Sequence, residues 1–174
     1  GCTGADGNSE AGVDSFHDIA DASFWSSFDV TTAIPGAAGF TGGAFDGRYV
    51  YFAPFGIGVV SGLVVRHDTT KTFNDSGAWS SFDVKTIDPN AAGYSGAVFA
   101  RGAVYFMPGQ GATTANGIVM RYDTSGTFTS PLAWAKLDTT TLVTGAKGFF
   151  GGVYDGQYLS LVPTFDGTAA HGFV

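Results

Sequence analysis

The side chains most capable of chemistry in this 174-residue chain are three histidines, one cysteine and two Arg-x-Asp pairs. His17, His67 and His171 stand too far apart for the i, i+2 or i, i+4 spacing of a metal-binding pair, and no nearby Cys joins them. No metal centre and no cofactor is expected. His67 takes the place that Tyr122 holds further along the chain, in a segment of the same pattern, which points to a packed aromatic. Arg66 with Asp68, and Arg121 with Asp123, lie two residues apart, so on a strand each pair shares a face. The expectation is a repeated ion pair tying one structural unit to the next; a ligand site recurring once per unit is the sharper alternative. Gly42-Gly43 and Gly151-Gly152 sit in apolar, strand-like runs with no helix after them, so they do not form a phosphate cradle. Close approach of backbones explains such glycines better. Gly-x-Ser-x-Gly is absent and no carboxylates pair at matching positions. Non-repeated polar residues (the histidines, Gln110 and Asn116) find no partner by spacing, so no catalytic residue is assigned and the chain reads as a non-enzyme.

The elements that must position these residues repeat. Trp25-Ser26-Ser27-Phe28-Asp29 returns as Trp79-Ser80-Ser81-Phe82-Asp83 and as Trp134-Ala135-Lys136-Leu137-Asp138, at intervals of 54 and 55 residues. Three further elements keep that period. One is Gly39 to Phe45, with Gly93 to Phe99 and Gly148 to Tyr154. The next is Arg48 to Pro54, with Gly102 to Pro108 and Gln157 to Pro163. The last is Gly62 to Thr69, with Gly117 to Thr124 and a third copy only begun by Gly172-Phe173-Val174. Each is five to seven residues long and rich in Val, Tyr, Phe or Trp, which favours strands. Asp46-Gly47 and Asp155-Gly156 between two apolar runs predict tight hairpins with both turn residues at positive φ; Ala100-Arg101-Gly102 predicts a different turn in the middle copy. The run Asn74-Asp75-Ser76 reads as a loop.

Composition agrees. There are 27 glycines, 15% aromatic residues and only 13% charged residues, which favours strands and turns over helices. The net charge of −7 comes with eight scattered cations, so no basic patch exists to neutralise phosphates and nucleic acid is not an expected partner. No apolar run reaches the ~18 residues needed to span a bilayer.

Four short strands per unit of this length is the signature of a β-propeller blade. The order Gly-Gly, Asp-Gly turn, apolar strand, Arg-Tyr-Asp, then Trp resembles the Kelch repeat over nearly all the chain from Trp25 onward. It departs from that pattern where Ala53-Pro54, Met107-Pro108 and Val162-Pro163 end the second strand, and its period is slightly longer. The resemblance implies an all-β fold of four-stranded antiparallel blades over residues 21–174, about three blades in all. Lettering the strands A to D, with the Trp strand as D, the chain reads D, ABCD, ABCD, AB and a started C. Rings typically need four to eight blades, so two readings compete: a second copy closing a six-bladed ring (or a higher assembly), which is the preferred partner, and a chain that is a fragment of a longer one. A Kelch-type copper oxidase site would need a Cys–Tyr crosslink, and Cys2 lies outside the repeats.

Cys2 is the single cysteine, so it has no intrachain disulfide partner. With the small, polar stretch Thr3 to Gly12 behind it, Cys2 resembles the lipid-bearing start of a mature bacterial lipoprotein. In that reading residues 1–20 form a flexible tether, the membrane is reached only through the lipid, and the domain is extracellular or at the cell surface. An incidental thiol on a tail stays open beside it. The functional expectation is a non-enzymatic ligand-binding module, with glycan as the ligand class. The alternative is a structural protein forming rings or fibres by strand exchange.

Overall fold

A computed structural model describes residues 22–56, 58–109 and 115–174. The expected tether over 1–20, with Cys2 and His17, and also Gln110, lie outside the described residues.

The described chain is all-β, with ten strands in three antiparallel sheets of four, four and two strands. Sheet I holds β1 (Phe40–Phe45), β2 (Tyr49–Pro54), β3 (Leu63–Asp68) and β4 (Trp79–Asp83). Sheet II holds β5 (Tyr94–Ala100), β6 (Ala103–Pro108), β7 (Ile118–Asp123) and β8 (Trp134–Asp138). Sheet III holds β9 (Phe149–Tyr154) and β10 (Leu159–Pro163). Within each sheet, strands neighbour one another in chain order. Pro54, Pro108 and Pro163 close β2, β6 and β10, where a missing N–H interrupts no ladder.

Local chemistry ends the outer strands. Asp83 and Asp138 finish β4 and β8 and cap the following 3₁₀ turns, their carboxylates accepting from the amides of Lys85 and Thr140. Asp29 caps the equivalent turn at Val30–Thr32 through the Thr31 amide.

Three expectations from the sequence are corrected. Trp25 to Asp29 is not a strand, since no described neighbour bonds its backbone into a ladder, and Gly172 to Val174 does not form one either. The Asp-Gly turns have only their glycines at positive φ, Gly47 and Gly156 each at +100°. Asp46 and Asp155 instead turn their carboxylates onto the amides two and three residues ahead, so a side chain shapes the corner. The turn with both residues at positive φ is the middle one, Arg101 at +49° and Gly102 at +75°.

The three sheets stack through their first strands. In all three, the pairing of first and second strand slips at the same place, between Phe40 and Gly43, Tyr94 and Gly96, and Phe149 and Gly152. A bulge re-aims its side chain, and here it aims at the next sheet. Thr41 donates its hydroxyl to the Tyr94 carbonyl at 2.7 Å, and Ser95 donates to the Phe149 carbonyl at 2.6 Å. Glycine permits the approach: a Cβ on Gly42 would stand 3.1 Å from Gly96 Cα, and one on Gly96 would stand 3.4 Å from Gly151 Cα. The close-approach reading therefore holds at Gly42 and extends to Gly96, whereas a Cβ on Gly151 would meet nothing within 4 Å. Among the described residues sheet II is covered by a sheet on both sides and sheets I and III on one, and Tyr94 to Gly96 is buried whereas Thr41 to Gly43 is exposed.

Candidate functional site

The repeated tryptophans build two aromatic boxes. Trp134 in β8 lies 5.0 Å from Tyr122, 5.6 Å from Phe128, 5.9 Å from Phe106 and 4.8 Å from Phe82 of sheet I, measured between ring centroids. Trp79 in β4 has the same neighbours one period earlier: His67 at 4.7 Å, Phe73 at 5.6 Å, Phe52 at 5.8 Å and Phe28 at 5.5 Å. Each indole N–H donates to the carbonyl six residues back, Phe128 and Phe73 respectively. His67 is thus a packed aromatic, as its alignment with Tyr122 suggests, and its buried Nε2 has no hydrogen-bond partner among the described residues.

Phe28 stacks on Trp79 at an interplanar angle of 18°, and Phe82 stacks on Trp134 at 16°. The ring three residues after one tryptophan lies flat on the next tryptophan. Although Trp25 to Asp29 is no strand, it occupies towards sheet I the place that β4 occupies towards sheet II. Phe73 and Phe128 are the box members that the alignment of tryptophans alone passes over. Their signal is plain once sought, a Thr-Phe pair ending six residues before each of these tryptophans.

The repeated Arg and Asp positions do not form the expected ties between units. Asp68 pairs with Arg48 of its own sheet, with nitrogen–oxygen distances of 3.2 and 2.8 Å. Arg121 and Asp123 meet at 3.5 Å within one strand. Arg66 does join two sheets, but through rings: its guanidinium sits 3.9 Å from the Tyr49 centroid and 4.2 Å from that of Phe128, and it bonds the hydroxyls of Ser80 and Tyr122. A planar, weakly hydrated cation suits such a sandwich. Burial, and after it the hydrogen bond and nearby charge of Asp46, push the Tyr51 hydroxyl's ionisation far up, so it donates to Asp46 as a neutral phenol.

Asn116 and His171 share a structural task with Ser61. Ser61, Asn116 and His171 each accept from the amide two residues on, at Leu63, Ile118 and Phe173. Among the described residues, no group of three or more His, Cys, Asp or Glu is placed to hold a metal ion. Nor is any helix long and apolar enough to cross a membrane.

Among the described residues, two clefts beside the repeated strands bear on ligand binding, apart from a glycine-lined one of about 260 Å³ at Gly36, Gly39 and Gly56. One, of about 230 Å³, lies in the loop between β7 and β8, lined by Asp123, Ser125, Thr127, Ser130 and the exposed Leu132. Its carboxylate is held below the usual range, mainly by the Ser125 hydroxyl and amide, so it is ionised near neutrality and can accept hydrogen bonds. The other, of about 640 Å³, is an apolar groove between the end of β8 and β10, lined by Leu137, Leu142, Val143, Tyr158, Leu161 and Phe173 among others. Compared with known proteins, the sequence matches no family model and no curated protein.

Proposed function

We propose that the chain is a non-enzymatic, glycan-binding module whose sheets are blades of a Kelch-like β-propeller. The observation that carries the ligand class is the shallow cleft at Asp123, Ser125, Thr127 and Ser130, beside the exposed Leu132. A carboxylate and hydroxyls ringed around an apolar side chain offer both hydrogen bonds for sugar hydroxyls and a surface for a sugar's apolar face. Asp68, Thr69 and Thr70 repeat Asp123, Thr124 and Ser125 with the same local bonds, but Asp68 is buried against Arg48, so the open site belongs to sheet II. The blade reading is supported by the meandering sheets stacked through glycine-bearing first strands. A surface location through lipid on Cys2 belongs to the same proposal.

A glycan array followed by titration calorimetry tests it. Binding is expected in the millimolar range for single sugars, weakened tenfold or more by Asp123→Ala. Absence of binding to every glycan class, or binding indifferent to Asp123→Ala, would sink the reading. An assembly role is the second reading, favoured by the exposed Phe150, Val153 and Val162 of sheet III; electron microscopy showing neither rings nor fibres counts against it.

A further inference from the structure

We propose that the cleft at Asp123 selects one class of sugar: a single amino sugar whose nitrogen is free and positively charged, in preference to neutral sugars and against sugar acids. The inference rests on the reading of this cleft as the sugar site and names the class it takes there.

The chain itself places a cation at the counterpart of this cleft. The loops before Trp79 and Trp134 carry matching backbone bonds, with the amides of Asp75 and Ser130 donating to the Thr72 and Thr127 carbonyls as those of Lys71 and Gly126 donate to Asp68 and Asp123. In sheet I, Lys71 lays its ammonium on the Gly77 carbonyl at 2.7 Å. In sheet II the position of Lys71 is Gly126, which has no side chain, and that of Gly77 is Leu132; both line the cleft. The loop that holds an ammonium of its own in sheet I is thus left open in sheet II for one brought by a ligand.

The groups around the cleft accept more than they donate. The amides of Ser125, Gly126, Ser130, Leu132 and Ala133 already bond within the loop, so they are not turned towards a ligand's anion. The Ser125 hydroxyl donates to Asp123 Oδ1 at 2.7 Å, which leaves its own oxygen to accept. Asp123 is the ionisable group among the lining residues. Arg121 reaches its Oδ2 only at 3.5 Å, against 2.8 Å for Arg48 on Asp68, and the Asp123 side chain stays 42% exposed. A ligand ammonium gains a charge-assisted hydrogen bond there, stronger than any a neutral hydroxyl makes. A ligand carboxylate meets a like charge, on a chain whose net charge is already −7.

Size and shape limit the ligand to one ring. The volume of about 230 Å³ falls below the roughly 300 Å³ at which pockets for larger ligands begin. Leu132 is 97% exposed and its amide is held by the Ser130 hydroxyl, so it presents its side chain to the cleft as a surface for a sugar's apolar face. The carboxylate and the apolar surface together suit a ring with an ammonium at its edge and C–H groups on its face.

Titration calorimetry on the 174-residue chain with glucosamine, glucose, N-acetylglucosamine and glucuronate tests this. At about pH 6 both the free amine and Asp123 are charged. Glucosamine is expected to bind about fivefold tighter than glucose or N-acetylglucosamine, and glucuronate more weakly than glucose. Asp123→Asn is expected to bring glucosamine down to the level of glucose. Leu132→Lys, at an exposed position, sets an ammonium over the cleft and is expected to do the same, should near-ultraviolet circular dichroism show that Asp123→Asn fails to fold. Asp29→Asn removes an equal charge elsewhere while keeping a capping side chain, and is expected to leave the preference intact. Glucose and glucosamine bound alike, glucuronate bound as tightly as glucosamine, or a chain that binds only some other glycan overturns the amino-sugar class and leaves the sugar site standing. A folded chain that binds no glycan at all overturns the sugar reading of the cleft as well. A preference that survives Asp123→Asn, or falls equally in Asp29→Asn, places the cation elsewhere on the acidic surface and also overturns the proposal.

Discussion

The two aromatic boxes have matching ring arrangements and differ in burial. Phe128 is 1% exposed and its counterpart Phe73 is 36% exposed; Trp134 is buried and Trp79 only half-buried. The local sequences do not account for this, because each box has an aromatic at every shared position. The difference comes from the neighbouring sheet. Tyr51 of sheet I lies 5.9 Å from Tyr122 and 6.1 Å from Phe128, and Arg66 caps the Phe128 ring. Among the described residues no earlier sheet supplies the equivalent cover to Phe73. A box is thus closed by the sheet before it, and the fold is stabilised seam by seam rather than sheet by sheet.

Deleting the two indoles breaks this comparison most sharply. Trp134→Ala removes a buried ring in contact with four others, and is expected to cost about 3–5 kcal/mol, the usual range for such core truncations. Trp79→Ala removes a ring already half in water and is expected to cost roughly half as much. Urea unfolding of both variants checks it. Equal losses would mean that the neighbouring sheet contributes little to the second box.

The next effect is smaller and opposite in sign. In the second box Tyr122 donates its hydroxyl to the Gly126 carbonyl at 2.7 Å. In the first box His67 leaves a buried nitrogen without a partner among the described residues. The turns beyond them match, with Lys71 and Gly126 donating their amides to the Asp68 and Asp123 carbonyls. His67→Tyr is expected to raise stability by about 1 kcal/mol, the net worth of one hydrogen bond. A fall in the unfolding midpoint would show that the first box does not accept the geometry of the second.

The repeat made much of this legible before any coordinates. Alternating apolar runs, closing prolines and a period of 54 to 55 residues determine which segments become β1 to β10, since strand patterning and turn chemistry act locally. What the pattern could not supply was anything decided across a seam. Arg66 and Asp68 look like partners on one strand, yet Asp68 takes Arg48 and Arg66 takes rings from a second sheet. The hydroxyls of Thr41 and Ser95 look like ordinary strand residues until the bulges turn them outward. Trp25 to Asp29 has the composition of a strand, but a strand also needs a neighbour to bond, and composition does not report neighbours. The same limit hid the cleft at Asp123, where Ser125, Thr127 and Ser130 gather only because the loop folds back on itself.

The smallest expected effect concerns acid. Arg48, and next the Thr70 hydroxyl, hold the Asp68 carboxyl well below the usual carboxylate range. In sheet II the position of Arg48 is Gly102, so Asp123 relies first on Ser125 and only weakly on the more distant Arg121. A carboxylate with a lowered folded-state pKa stabilises the fold fully above its unfolded value, near pH 4, and that contribution is lost as pH falls through the folded-state value. The melting temperature should therefore decline from about pH 4 downward. Asp68→Asn should flatten that decline more than Asp123→Asn, because a close charge partner joins the hydroxyl only in sheet I, Arg121 being more distant from Asp123. Thermal melts between pH 7 and pH 2 measure both slopes. Identical flattening would show that the Arg48 pair is screened by solvent to the level of its weaker counterpart, and that the two sheets differ in their seams alone.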